Sequence, residues 1–347
     1  MSKTTPVFLD FSRKANFSSS DGHTSLKPPG LVNLGNSCYM NSVMQCLNCL
    51  APLVKFFTKN AHLEEVALPI SSGGTVANEV GVIFSAMLNG RRSPLSLMAL
   101  KSKVGELCHQ FSGCEQQDSH EFLVYLLTWM HEELGGRGLS ALGSCGYTPH
   151  HLAEGLTSEL SVISLLFQGE HRHVIACGNC HNKSMSLEPF TILSLSLPAS
   201  GKCTLANLLE NYYKECSIDY NCLKCNKGGK CFSRTFIQKL PPILILHLNR
   251  FEYSISARKK QNFVDFPLRH LSLGEHASSS VNFASYDLCA VSNHHGTMNG
   301  GHYTSYCKPP QGDVWYQCDD KAVTRLRTPV KTSTAYLLFY DSVRTDI

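Results

Sequence analysis

The sequence lacks any apolar run of the roughly 18 residues that a membrane helix needs. Its opening Met-Ser-Lys-Thr-Thr-Pro carries no apolar secretion stretch. Neither a membrane span nor export is therefore expected. Charge of one sign is scarce too. With 31 Lys and Arg against 27 Asp and Glu, the net +4 over 347 residues is too small to imply a nucleic-acid partner. Tryptophan occurs only twice, and no internal repeat stands out. Apolar residues at 43% and charged residues at 17% are ordinary for a globular protein, and the length suits one large domain or two smaller ones. Cysteine is abundant, with sixteen residues. In a chain this long without a secretion signal, metal binding and thiol chemistry are better readings than a disulfide scaffold, and a cytosolic or nuclear location follows.

Residues 1–29 are polar and serine-rich and read as a mobile tail ahead of a domain over 30–347. Residues 31–135 are mainly helical in pattern; within 115–134, Phe122, Tyr125, Leu126 and Trp129 fall on one stripe with Met130 beside it. Residues 135–155 are glycine-rich and read as a loop. From His171 onward β signals dominate, as at 190–197, 243–248, 286–291 and 335–340. Helices first and strands later predict an α+β protein with a cleft between the two halves.

Cys38 follows a glycine- and asparagine-rich loop, Asn33-Leu-Gly-Asn-Ser37, and opens a pattern in which Met40, Val43, Met44 and Leu47 recur at helical steps. The helix is expected to begin near Ser37 or Cys38. A thiol there feels the positive end of the helix dipole, which lowers its pKa from about 8.5 to as little as roughly 3.5–7.5.

A histidine able to serve that thiol stands far down the chain, in Gly300-Gly-His302-Tyr303. Two β-rich runs flank a Pro/Gly turn after it. With a loop at 309–312, Lys308 faces Asp313 and His302 faces Asp319, so the carboxylate lies on the imidazole's face and orients it. A one-residue slip would substitute Asp320. His294 and His295 are read as strand-end or loop residues, His120 as a packing or rim residue and His247 as a core histidine.

Two Cys-x-x-Cys knuckles, Cys177/Cys180 and Cys222/Cys225, suit a closed tetrahedral zinc site with a structural role. Cys231 and His181 are spare ligands nearby.

The Cys38 segment, the segment Gln116-Gln-Asp118-Ser-His-Glu121-Phe and the Gly-Gly-His302-Tyr303 segment resemble the three signature boxes of the ubiquitin-specific proteases. These are papain-like cysteine peptidases that remove ubiquitin, and the boxes stand in family order from about Gly30 to Tyr340. The resemblance is closest to compact members without large insertions. It implies a fold of helical thumb (about 31–135), zinc-bearing β fingers (about 160–240) and palm, acting as a monomer on ubiquitin and ubiquitinated proteins. It also implies Cys38 as nucleophile, His302 as base, Asp319 as its orienter and Asn33 as an oxyanion donor. Gln116, Asp118, Glu121 and Tyr303 would bind the Gly-Gly tail, flanked by loops at 250–265 and 293–301. Ser37 replaces the threonine usual before the nucleophile, and Cys318 stands where an aromatic residue is common. Two other functions fit the same residues: a silent ubiquitin-binding scaffold, and a peptidase for another modifier ending in Gly-Gly.

Overall fold

The helices are α1 (Cys38–Leu47), α2 (Ala51–Thr58), α3 (Val76–Leu88), α4 (Met98–Leu107), α5 (Ser119–Leu134), α6 (Val162–Phe167) and α7 (Leu205–Tyr213). The longer strands are β1 (Gly169–Cys177), β2 (Lys183–Phe190), β3 (Ile192–Ser196), β4 (Cys216–Cys222), β5 (Lys227–Lys239), β6 (Ile243–Asn249), β7 (Ser285–Gly296), β8 (Gly301–Cys307), β9 (Tyr316–Asp319), β10 (Ala322–Arg325) and β11 (Ala335–Val343). The computed structural model describes residues 27–58, 75–89, 94–135, 160–252, 258–278, 285–297, 300–310, 312–327 and 330–343. Most of the expected tail, the glycine-rich segment after 135, and parts of both expected flanking loops (253–257 and 298–299) lie outside them.

Two units form. The first combines residues 1–166 with Cys289–Val330, and the second combines Phe167–Leu288 with Lys331–Ile347. Chain order therefore does not separate a helical part from a β part: strands β8, β9 and β10 pack in the unit of α1–α5.

In the first unit every residue of α1 is buried. A helix apolar or satisfied on all sides belongs inside a core. Its polar residues find partners there: Ser42 Oγ donates to Thr304 O at 3.0 Å, and Gln45 Nε2 donates to Pro29 O at 2.7 Å. Tyr39 packs edge-on against Phe122 at 5.4 Å between ring centroids. Helix α5 starts at Ser119 because the Asp118 carboxylate caps it, accepting from His120 N at 2.7 Å. Its buried stripe is Phe122, Leu123, Leu126, Leu127, Met130 and Leu134. Tyr125 and Trp129, on the expected stripe, are outside the buried set and stack on each other with ring centroids 5.3 Å apart.

Antiparallel pairing runs β7–β8–β9–β10, and strand β7 continues to Gly296, pairing His295 with His302 and Gly296 with Gly301. The expected loop at 293–301 is thus mostly a hairpin. Strands β8 and β9 pair Ser305 with Cys318 and Cys307 with Tyr316. This register is two residues off the expected one, because the connection is longer than the Pro/Gly turn alone. A shift by two preserves the side-chain face, so Asp319 still shares His302's face, as a diagonal neighbour. Asp320 leaves the strand in a left-handed turn (φ 46°).

In the second unit β11 and β3 flank β6, antiparallel and parallel respectively. Strands β2, β1, β5 and β4 form a separate antiparallel sheet in that order. Strand β2 is largely exposed, and this sheet's buried cluster is small: Cys177, Cys222 and Cys231, with Ile175, Ile218, Tyr220 and Cys225 against them. Among the described residues no helix is long and apolar enough to cross a membrane.

Candidate active site and metal centre

The loop before α1 is wound by its own side chains. Asn33 Oδ1 accepts from Gly35 N at 3.0 Å and from Ser37 N at 3.1 Å. Gly35 (φ 91°) and Asn36 (φ 55°) take the left-handed conformation that turns the chain back into the helix. Cys38 is the first helical residue and is 3% exposed. Backbone N–H groups of Tyr303, Tyr39 and Cys38 itself act to favour its thiolate.

These donors do not make it a resting thiolate. Burial, joined by the nearby Asp320 charge, raises the Cys38 thiol above its ordinary value, and the N–H groups offset only part of that rise. The expected lowering by the helix end is overturned by desolvation, which penalises the charged form of a buried thiol. Alkylation of Cys38 in the free protein should keep rising above the usual thiol range. Asp320→Asn, which removes a negative neighbour, should move that profile to lower pH. A rate already level at neutral pH in the unsubstituted chain would contradict it.

His302 opens β8 and Asp319 closes β9, and their side chains meet at 2.6 Å, Nε2 to Oδ1. Both are part-exposed. A carboxylate only accepts, so Nε2 carries the proton of this bond. Among the described residues His302 is not a hydrogen-bond partner of the Cys38 sulfur. Atoms of His302, Asp319 and Asp320 lie within 4.8 Å of one another. Asp320 faces the loop instead: its carboxylate accepts from Asn33 Nδ2 and Asn41 Nδ2, each at 2.8 Å. Its backbone carbonyl accepts from Leu31 N at 2.8 Å. One residue thus ties the asparagine loop, α1 and the β9–β10 turn together.

The residues before α5 reach the same strand. Gln116 exchanges two bonds with the Gly301 backbone: its Oε1 accepts from Gly301 N at 2.7 Å and its Nε2 donates to Gly301 O at 3.0 Å. Gly301 has no room for a side chain, since a Cβ there would run into the His295 carbonyl and the His294 ring. Tyr303 is buried against His294, with centroids 4.6 Å apart, and its hydroxyl accepts from Ser119 N at 3.4 Å. What Tyr303 offers Cys38 is its backbone N–H. The Glu121 carboxylate accepts from Gln110 Nε2 at 2.7 Å. Of the other histidines, His295 Nε2 is 3.2 Å from Thr304 Oγ1, and burial lowers the pKa of His120. His247 is buried, with Nδ1 3.0 Å from Ser194 Oγ.

Sequence reasoning singled out neither Asn41 nor the anchoring role of Asp320. The available signal was a polar residue, Asn41, three positions into a wholly buried helix.

The four knuckle cysteines converge in the second unit, with all sulfurs within 4.8 Å of one another. Cys177 and Cys225 are 3.9 Å apart, and Cys180 and Cys222 are 3.7 Å apart. Four sulfurs at about 2.3 Å from a tetrahedral ion would be separated by ~3.8 Å, so the set fits one. Each knuckle closes in a left-handed residue, His181 (φ 57°) and Asn226 (φ 51°). N–H groups of Cys180 and Asn179 bring the Cys177 thiol down to about 6. Cys231 lies opposite Cys177 with its sulfur 3.8 Å from Tyr220 O, so it stands outside the quartet, as does His181.

Residues 29–340 match the family profile described as ubiquitin carboxyl-terminal hydrolase. Ubiquitin carboxyl-terminal hydrolase 2 of Gallus gallus is 36% identical over 331 residues, covering 90% of this chain and 92% of that protein. The Rattus norvegicus protein of that name is 34% identical over 330 residues, covering 90% of this chain and 53% of its own length. The chain thus spans about half the length of the mammalian relatives of that name. Among solved structures, the SAGA Ubp8/Sgf11/Sus1/Sgf73 DUB module bound to ubiquitin aldehyde matches with TM-score 0.75 and 25% identity, covering 92% of this chain and 70% of that one.

Proposed function

Because the chain belongs to the ubiquitin carboxyl-terminal hydrolase family, we propose that it is a deubiquitinating thiol peptidase. It cleaves the peptide or isopeptide bond after the C-terminal Gly-Gly of ubiquitin. The observation that carries this reading is the 2.6 Å His302–Asp319 bond within the unit whose buried helix α1 begins at Cys38.

The thiol must lose its proton as it attacks. His302 Nδ1 takes that proton, Cys38 Sγ adds to the carbonyl carbon, and Asp319 stabilises the imidazolium. The developing oxyanion is met by the Cys38 N–H and by Asn33 Nδ2, which Asp320 aims. The imidazolium then protonates the leaving amine, and water hydrolyses the thioester. Asp118 and Glu121 hold the arginine-containing tail. Gln116 and Tyr303 contribute by fixing the backbone around His302.

The metal of the cysteine quartet is zinc in this proposal, four-coordinate and without an open position, and therefore structural. The protein acts as a monomer in a reducing compartment, the cytosol or nucleus.

Exposure to ubiquitin bearing a thiol-reactive C-terminus tests the reading. A single adduct on Cys38 is expected. Labelling only by the same reagent built on another Gly-Gly modifier would redirect the assignment to that modifier, and no labelling by either would point to a silent binder. The two aspartates are separated by substitution. Asp319→Ala should lower kcat about 10²–10⁴-fold, with Asp319→Asn milder because an amide oxygen still accepts the imidazole N–H. Asp320→Ala should cost less, up to about 10²-fold, through loss of Asn33 alignment. Near-normal turnover of Asp319→Ala beside a crippled Asp320→Ala would reverse these roles.

A further inference from the structure

The second unit holds a cavity of about 480 Å³ bounded by residues 199–202 on one side and 258–263 on the other. Lys202, Arg258, Lys259 and Lys260 line it, and among the described residues no acidic one does. Its two walls are fastened together. Asn262 Nδ2 donates to Gly201 O at 2.7 Å, and Cys203 N donates to Phe263 O at 3.1 Å. Just beyond, Cys203 and Thr204 pair in parallel with Val264 and Asp265. Gly201 supplies the left-handed turn (φ 89°) that the first wall needs.

The second wall is held from inside by Arg250, which follows β6 and is 0% exposed. Its Nη1 donates to Lys260 O and Asn262 O, each at 3.0 Å, and its Nε donates to Ala335 O at 2.6 Å. All three acceptors are neutral carbonyls. Nη2 is buried and has no hydrogen-bond partner among the described residues. A buried guanidinium is ordinarily matched by a carboxylate. The carboxylates in the adjoining sequence are committed elsewhere: Glu252 Oε2 to Arg258 Nε at 2.7 Å, and Asp265 Oδ1 to Lys331 Nζ at 2.5 Å. Four cations at the cavity and a fifth behind it are thus matched by Glu252 alone. The excess bears on Lys259, whose ammonium burial and the nearby Arg250 charge bring down to about 8.

We propose that this cavity binds a small ligand carrying two or more linked phosphate groups, with Lys202, Lys259 and Lys260 as its charge contacts. Lys202 stands on one wall and the other two lysines on the opposite one, so linked phosphates suit the site better than one small anion. Ammonium groups meet phosphate oxygens through charge-assisted hydrogen bonds, and the ligand's charge offsets the buried Arg250. An arginine-containing peptide tail would be repelled here, so the site is distinct from the slot of the proposed peptidase. The competing account is that Arg250 only pins carbonyls and the lysines are a solvated surface.

The test is calorimetric titration of the full chain with inorganic tripolyphosphate, with sulfate at equal ionic strength as comparator. Saturation at one tripolyphosphate per chain is expected, with sulfate weaker. Lys202→Gln with Lys259→Gln removes two charge-assisted contacts and should weaken binding at least about tenfold. Lys103→Gln with Lys214→Gln removes the same charge away from the cavity and should leave binding unchanged. Circular dichroism confirms that both variants are folded. Equal weakening in both pairs would reduce the effect to diffuse charge and overturn the proposal. So would an unchanged signal in the Lys202/Lys259 pair, which would place the ligand elsewhere, as in chelation of a metal. Absence of saturable binding overturns it too, as does tighter binding of a polyglutamate peptide or an oligonucleotide. The readout is binding rather than turnover, so its failure is distinguishable from failure of the peptidase reading.

Discussion

Cys38→Ala is expected to abolish cleavage of a ubiquitin–fluorophore amide, a fall on the order of 10⁴–10⁶-fold, while ubiquitin still binds. The two readouts part because they draw on different groups. Turnover requires a sulfur that forms and breaks a covalent bond, and no neighbouring side chain can substitute: Asn33 is tied to Asp320, and His302 is held by Asp319. Binding depends on a wide surface of which the sulfur is a minor part, so the dissociation constant should change by no more than about tenfold. The buried site favours a clean substitution, since removing one sulfur from a 3% exposed position leaves α1 anchored by Ser42, Asn41 and Gln45. Retained hydrolysis would remove Cys38 from the mechanism. Loss of binding together with hydrolysis would show instead that α1 had collapsed.

Stripping the metal from the cysteine quartet should have an effect of similar size on order rather than on chemistry. Apparent free energies of roughly 10–16 kcal/mol are reached when zinc organises small finger domains. The sheet of β1, β2, β4 and β5 has only a small cluster of buried side chains, part of it the ligands themselves. A strong chelator, or Cys180→Ser with Cys222→Ser, should speed amide exchange throughout that sheet. Cys38 belongs to the other unit and should keep its alkylation rate. Metal analysis of the purified chain checks the premise, and a chain free of zinc that exchanges no faster after chelation would overturn it.

The residues named on sequence grounds differ in how legible they were. Cys38 at a helix start and the two knuckles depend on local spacing, which a sequence displays directly; α1 does begin there and the four sulfurs do converge. The strands at 243–248, 286–291 and 335–340 were visible as β-branched and aromatic runs. Pairing across a connection of unknown length was not, and the β8–β9 register came out two residues away. The state of the Cys38 thiol was hidden for another reason. Helix position is local, but burial depends on everything packed around α1, and burial dominates. The bonds from Gln116 to Gly301 and from Asp320 to Asn33 and Asn41 join segments far apart in sequence, and no spacing rule encodes them.

The unit that holds Cys38 is assembled from two stretches of chain separated by the whole of residues 167–288. During synthesis the helix that Cys38 opens leaves the ribosome long before the strands bearing His302 and Asp319. Until they arrive, α1 has neither Asp320 to receive Asn41 nor Thr304 to receive Ser42. Closing so long an intervening segment carries a loop entropy that only completed packing can repay. A nascent or proteolytically shortened chain that ends within that segment would therefore carry Cys38 without the strands of His302 and Asp319. Competence would be acquired late, in one step, with the arrival of the final hairpins.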